Sequence, residues 1–230
     1  MDDTTVVVTG ASRGIGRSVA AAFAAEGARV VACARDDEAL DELAAAVDES
    51  GGAILTQRAD VRDEFDVERL MERAAREGRP IDVLVACAGV SHGTPGEMPT
   101  AEESYARFDD TMRTNVRGVF AAVKEAVPHM ADDARVLVPS GSVAREAKAG
   151  MGSYAVSKAA AEALARGFAA DLSQTVGVVD PGLVATDLTD GRGRDPDDAA
   201  SMFVWAATEA DASELDGEIL DLRTWKEATR

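Results

Sequence analysis

Short β-branched runs alternate with longer segments of helical period along most of the chain. Thr5–Thr9 reads Thr-Val-Val-Val-Thr, a run suited to a strand buried on both faces. Ile15, Val19 and Phe23 then recur at helical spacing, and Gly27 ends that helix. Arg29–Ala34 is the next strand. Leu40, Leu43 and Val47 mark one side of a helix over Asp37–Glu49. The alternation predicts strands at Ala53–Ala59, Ile81–Ala86, Arg135–Pro139, Thr175–Val179 and Gly217–Leu222. Between them it predicts helices at Glu64–Glu77, ended by Gly78-Arg79-Pro80, at about Ala101–Val127, through Tyr154 to about Leu172, and at Asp197–Glu209. Val90–Thr100 reads as loop, and Asp187–Asp195 as a polar, Gly-rich lid candidate. The pattern contains no repeat, low-complexity block or linker, so 230 residues form one α/β domain with a full core.

Composition narrows the partners. There are 42 acidic against 24 basic residues, a formal net charge of −18, and lysine occurs only at positions 124, 148, 158 and 226. Such a field repels nucleic acid and anionic membranes. Acid excess with scarce lysine, spread along the helices, points to a halophilic setting in which salt screens the self-repulsion. No apolar run approaches a membrane span, and the acidic start Met1-Asp2-Asp3-Thr4 predicts no secretory leader. Cys33 and Cys87 fall in apolar runs and read as core thiols of a cytoplasmic protein.

Two stretches carry candidate chemistry. Gly10-Ala11-Ser12-Arg13-Gly14-Ile15-Gly16 links the first strand to the first helix. Glycines there let backbone approach a pyrophosphate, and the helix N-terminus attracts its charge. An acid at the end of the second strand binds the ribose hydroxyls of NAD, whereas an arginine favours the 2′-phosphate of NADP. Ala34 stands at the acid position and Arg35 follows, with Arg13 in the glycine turn able to approach the same phosphate. This favours NADP(H) over NAD(H). Asp60 ends the third strand, where it suits either an adenine amino group or a helix cap.

The second stretch is Ser140–Ala160. Tyr154 and Lys158 are four apart, one turn from each other on a helix face. A cation so close lowers a tyrosine pKa from about 10 toward neutral, which suits a proton carrier. Ser140 or Ser142, at the preceding strand end, would hold the reacting oxygen. Asn115 sits mid-helix against its propensity, either merely tolerated or distorting the helix to place a polar group or water. His92 reads as a loop residue with no partner nearby in sequence.

Taken together, Thr9-Gly10-(x3)-Gly14-x-Gly16, Asp60, Cys87-Ala88-Gly89, Asn115, Ser142, Tyr154-(x3)-Lys158, Pro181-Gly182 and Thr186 resemble the short-chain dehydrogenase/reductases of the classical type over nearly the whole chain. The resemblance implies a single-domain Rossmann-type doubly wound fold, a seven-stranded parallel sheet flanked by helices, with a short substrate lid around residues 183–195. It implies catalytic Asn115, Ser142, Tyr154 and Lys158. It implies a dinucleotide held by Gly10, Ser12, Arg13, Gly14, Ile15, Gly16, Arg35, Asp60, Val61, Ala88, Gly89, Tyr154, Lys158, Pro181, Gly182, Val184 and Thr186. Tyr154 would be the general acid/base, Lys158 would bind the nicotinamide ribose, Asn115 would hold a relay water, and Val184 and Thr186 would meet the carboxamide. The reaction implied is hydride transfer between NADP(H) and a carbonyl or secondary alcohol. A non-catalytic dinucleotide-binding sensor or scaffold is the competing reading. Pocket walls are expected around Ser91–Met98, Ala144–Met151 and Leu183–Arg194. Small residues at Ala160, Ala163 and Gly167, beside Leu164 and Phe168, allow close helix packing between subunits of a dimer or tetramer. The family's Asn-Ala-Gly is Cys87-Ala88-Gly89 here, losing an amide that braces the sheet. Ser142 lies twelve residues before Tyr154, one fewer than is usual, and Asp180 stands where Asn or Ser often precedes Pro-Gly. Asp221-Leu222-Arg223-Thr224-Trp225 replaces a customary Asp-Gly-Gly tail that often joins subunit contacts.

Overall fold

Val6 and Val8 point to one face of strand β1 (Thr5–Thr9) and Val7 to the other, yet all three are fully buried. A strand apolar on both faces must be covered on both, and here it is. The computed structural model, which describes residues 1–76 and 79–230, is one parallel sheet between two helical layers. Its strands are β1, β2 (Arg29–Ala34), β3 (Ile54–Arg58), β4 (Ile81–Ala86), β5 (Met130–Pro139), β6 (Thr175–Asp180) and β7 (Ile219–Asp221). They lie in the order β3-β2-β1-β4-β5-β6-β7. The order reverses between β1 and β4, the switch point where a doubly wound sheet leaves a crevice at its carboxyl edge.

Helices α1 (Gly14–Ala25), α2 (Asp37–Glu49) and α7 (Pro196–Thr208) cover one face, packing Phe23, Leu43 and Phe203 onto Val6, Val30 and Val85. Helices α3 (Glu64–Ala74), α5 (Gly118–Ala126) and α6 (Gly152–Asp171) cover the other, with Leu70, Val123 and Ala161 against Val7, Leu84 and Val136. The predicted end of α3 at Glu77-Gly78 lies outside the described residues.

The structure departs from the predicted elements in three places. The helix expected over Ala101–Val127 is broken into a short turn at Thr100–Glu102, then α4 (Tyr105–Met112), a wide π-type turn at Arg113–Arg117, and α5. Ser104 starts α4 by accepting from Arg107 N. β5 begins five residues early, but its register against β4 slips between Ile81 and Val83, so the regular ladder starts at Arg135. After α7 come two helices that the pattern did not predict, α8 (Ala212–Leu215) and α9 (Leu222–Ala228). Both start on an aspartate cap, Asp211 and Asp221.

Candidate functional site

Two recesses meet at the carboxyl ends of the strands. The inner one is a groove between the exits of β1 and β4 and the start of α1, running out to Arg35 and Asp60. Gly10 and the turn from Ser12 to Gly16 line it, with Val61, Ala88, Gly89, Lys158 and Thr186. The turn is tightly packed: a Cβ at Gly10, where φ is +71°, would sit 2.6 Å from Ala88 Cα. Thr9 Oγ1 accepts from Ala88 N at 3.2 Å and ties the two strand exits together.

The groove is built for an anion at the start of α1. No side chain caps that helix, and no acid lies in its first turn. By contrast α2, α3, α7, α8 and α9 each carry an aspartate on an N-terminal amide. In so acidic a chain, α1 keeps its free amides and the positive end of its dipole for something else. Thr114 also lines the groove, and its buried hydroxyl has no partner among the described residues. An open helix end and an orphaned hydroxyl fit a dinucleotide.

At the far end Arg35 is exposed and joins no ion pair among the described residues. Arg13 stands 3.7 Å from Asp187. A third arginine, missed in the sequence, belongs with them. Arg58 is paired in register with Ala34, and its Nε donates to Arg35 O at 3.2 Å. Aligning the ends of β2 and β3 would have found it. Asp60 does not cap α3, which Asp63 does through Phe65 N. It accepts from Arg62, whose other end reaches Asp110 at 2.6 Å, and Asp110 meets His92 Nε2 at 2.8 Å. His92 thus has a partner, eighteen residues away on α4. The Arg62 hydrogen bonds hold the Asp60 carboxyl below its ordinary range. Burial pushes Asp110 the other way, but His92 and Arg62 prevail and hold it low.

The outer recess is a pocket of about 740 Å³. Ile15, Ser140, Tyr154, Thr186 and Leu188 border both recesses, so Tyr154 stands at the junction. Lys158 lies with its Nζ 5.8 Å from the Tyr154 ring centroid and donates to Pro139 O at 3.0 Å. The start of α6 is fixed by Glu103, whose carboxylate accepts from Ser153 N and Ser153 Oγ, both at 2.5 Å. Gly150, at φ +70°, lets the loop ahead of α6 touch the Gly96 backbone, where any Cβ would lie 2.1 Å from Gly96 O.

Asn115 is 2% exposed and does not line either recess. Its amide clamps Val90, accepting from N at 2.8 Å and donating to O at 2.9 Å, and donates to Ser157 Oγ at 2.9 Å. It sits in the π-type turn, so of the two sequence readings the structure shows a distorted helix at this position. The two candidate serines are separated by their partners. Ser140 Oγ donates to Glu162 at 2.7 Å, whereas Ser142 Oγ accepts from Lys148 Nζ at 2.6 Å and has the Glu146 carboxylate as a hydrogen-bond partner. Glu162 and Asp180, both nearly fully buried, share Arg145, and Asp180 also accepts from Gly182 N at 3.0 Å. This triad ties the Ser142 turn to α6 and to the exit of β6. Pro181, Gly182 and Val184 line the outer pocket, not the groove.

Residues 183–195 fold back on themselves. Arg194 bonds Leu183 and Ala185 through the backbone, and its guanidinium lies 5.2 Å from the Trp225 ring centroid on α9. That helix supplies Leu222, Arg223 and Lys226 to the pocket wall. The expected walls hold at Pro95, Lys148 and Leu183, but the C-terminal wall was missed. Its signal was Asp221 as a cap, followed by Leu222 and Trp225 at helical spacing. Both thiols are free, with burial pushing Cys87 and Cys33 up to about 12. Among the described residues no helix is long and apolar enough to cross a membrane.

Comparison with known proteins agrees with this geometry. The short chain dehydrogenase family model matches residues 4–197. A glycine betaine reductase of Emericella nidulans is 34% identical over 221 residues, 87% of this chain, although the chain spans only 17% of that protein's length. A 2-(R)-hydroxypropyl-CoM dehydrogenase of Xanthobacter autotrophicus is 35% identical, covering 81% of this chain and 76% of that one. A crystal structure of a short chain dehydrogenase from Burkholderia cenocepacia in complex with NADP superposes with a TM-score of 0.86 at 27% identity, covering 96% of each chain. The chain therefore belongs to the short chain dehydrogenase family and is an oxidoreductase.

Proposed function

We propose that this protein transfers hydride between NADP(H) and a carbonyl or secondary alcohol, with Tyr154 as the general acid/base. The observation that carries the reading is the position of Tyr154, which borders both the cofactor groove and the outer pocket. The bound nicotinamide supplies or takes up the hydride. In the reductive direction Tyr154 gives its phenolic proton to the substrate oxygen, and Lys158 stabilises the charge left behind. Ser142 would turn its hydroxyl proton from Glu146 to the same oxygen, fixing the carbonyl for attack. Asn115 acts one step back, holding the β4 exit and Ser157 so that groove and α6 keep their spacing. Gly10, Ser12, Gly14, Ile15 and Gly16 would take the pyrophosphate, and Asp60 with Val61 and Thr114 the adenine. Arg13, Arg35 and Arg58 would take a 2′-phosphate. Ala88 and Gly89, which line the groove, would leave room for the nicotinamide ribose. Thr186, which borders both recesses, would meet the carboxamide, with Pro181, Gly182 and Val184 forming the turn that carries it.

The same reading places the protein in a salt-rich cytoplasm, consistent with its −18 charge, and as a homo-oligomer. Support for the oligomer is the shallow apolar hollow of Met112, Val116, Phe120 and Leu164 beside exposed Ala163 and Gly167. The deciding experiment is NADPH oxidation against a broad panel of ketones and aldehydes in molar KCl, with NADH in parallel. Turnover that requires NADPH supports both the reaction and the cofactor. Equal turnover with NADH overturns the reading of Arg35. Tight NADPH binding without turnover of any carbonyl returns the sensor reading.

A further inference from the structure

The outer pocket reverses the charge balance of the rest of the molecule. The chain holds 24 basic and 42 acidic residues, but the pocket wall has five cations, Lys148, Arg192, Arg223, Lys226 and Arg230, against three carboxylates. Those three carboxylates are already engaged. Asp180 is held by Arg145, and Asp221 caps α9 through Thr224 N at 2.8 Å. Glu227 pairs with Arg223 at 2.9 Å. Of the five cations, Arg223 is taken up by Glu227, and the others are engaged to different degrees. Lys226 and Arg230 have no ion pair among the described residues, and Arg192 lies only within 4.0 Å of Asp190. Lys148 pairs with Glu146 at 3.0 Å while its Nζ reaches Ser142 Oγ at 2.6 Å. Of the four lysines in the protein, Lys148 and Lys226 border this pocket and Lys158 the groove behind it.

A neutral carbonyl compound needs none of this. In a chain of net charge −18, a local excess of cations at one pocket is what an anionic substrate would need at contact range. Resting on the oxidoreductase reading above, we infer that the substrate is an anion, a ketone or aldehyde whose carboxylate or phosphate is held by Lys148, Arg192 and Lys226. Lys148 fixes the geometry at the inner end: it touches the serine that would hold the carbonyl, so the anionic group lies within a few bonds of the reacting carbon. Lys226 on α9 and Arg192 in the folded-back segment line the same pocket.

The test compares matched pairs with saturating NADPH. Straight-chain 3-oxo acids of four to ten carbons are each run against their methyl esters, and dihydroxyacetone phosphate against dihydroxyacetone. The first arm reports a carboxylate, the second a phosphate. In one arm the anion should exceed its neutral partner about tenfold or more in kcat/KM, equivalent to a single charge-assisted contact. That ratio should drop severalfold in Lys226→Glu and in Arg192→Ala, and shrink as KCl is raised toward about 1 M. If neutral partners turn over as well as or better than the anions in both arms, the inference fails while the oxidoreductase reading stands. If nothing turns over, NADPH-fluorescence titration with the same pairs decides the anion site on its own. Tighter binding of the anion, lost in Lys226→Glu, supports the site; equal or absent binding overturns it.

Discussion

The inner groove and the outer pocket share Tyr154 but are made of different materials. The groove is backbone and strand ends: the Gly10–Gly16 turn, the exits of β1 and β4, and an open helix end, all set by the sheet. The outer pocket is side chains from distant places: the Ser142–Lys148 loop, the folded-back segment at 183–194 and the C-terminal helix α9. A site made of backbone takes any ligand with the right phosphates. A site made of side chains on late loops chooses among substrates. On the proposed reading, cofactor and chemistry belong to the shared frame, and specificity to the cations of α9 and of residues 183–195.

The largest test of this division is at the junction. Tyr154→Phe should lower kcat about a thousandfold, within the range typical of a lost general acid, while the Kd for NADPH moves less than about threefold. A parallel loss of cofactor binding would mean that Tyr154 belongs to the groove alone.

Next comes the triad that joins the two regions. Arg145→Ala leaves Glu162 and Asp180 buried without their cation and should destabilise the fold by about 3 kcal/mol in urea titration. Adding Asp180→Asn should recover part of that loss by removing one of the two buried charges. If Arg145→Ala unfolds like the parent, the Ser142 turn is not held by this triad.

The groove's outer end should show a smaller effect. Arg35→Ser should cut the NADPH-to-NADH preference about tenfold, near 1.4 kcal/mol, with Arg58→Ser adding to it. No change in either variant would move the 2′-phosphate elsewhere.

The smallest is a pH effect. Asp60 and Asp110 have folded pKa values below their unfolded ones, so their stabilisation is complete above about pH 4 and is lost as pH falls through the lower, folded values. Asp110→Asn should therefore show a flatter loss of stability on the acid limb than the parent, measured by thermal unfolding between about pH 5 and 2. An identical limb would remove Asp110 from the ion ladder.

How much of this was legible varies by element. The bounds of β2 and β4 follow from the runs Arg29–Ala34 and Ile81–Ala86, because their apolar residues are buried on both faces and the only polar members, Arg29 and Asp82, stand at the strand starts. The break at Ser104 and the wide turn at Asn115 were only half legible. A lone asparagine warns of distortion, but its partners Val90 and Ser157 lie 25 and 42 residues away. The choice between Ser140 and Ser142 was open in sequence, and their different partners, Glu162 and Lys148, give it physical content. Arg58 escaped notice because nothing local marks it; only the register of β3 against β2 brings it to Arg35.

By itself the sequence determined the alternation of strands and helices, the glycine turn, and the Tyr154 and Lys158 pair, since each depends on neighbours within a few residues. Hydrophobic period and turn chemistry are local properties of a chain. The tertiary structure alone decided which cations face the pocket, that Arg145 serves two buried carboxylates, and that the C-terminal segment returns as a wall. Those depend on contacts across many tens of residues, where burial and charge are set by packing and not by spacing along the chain.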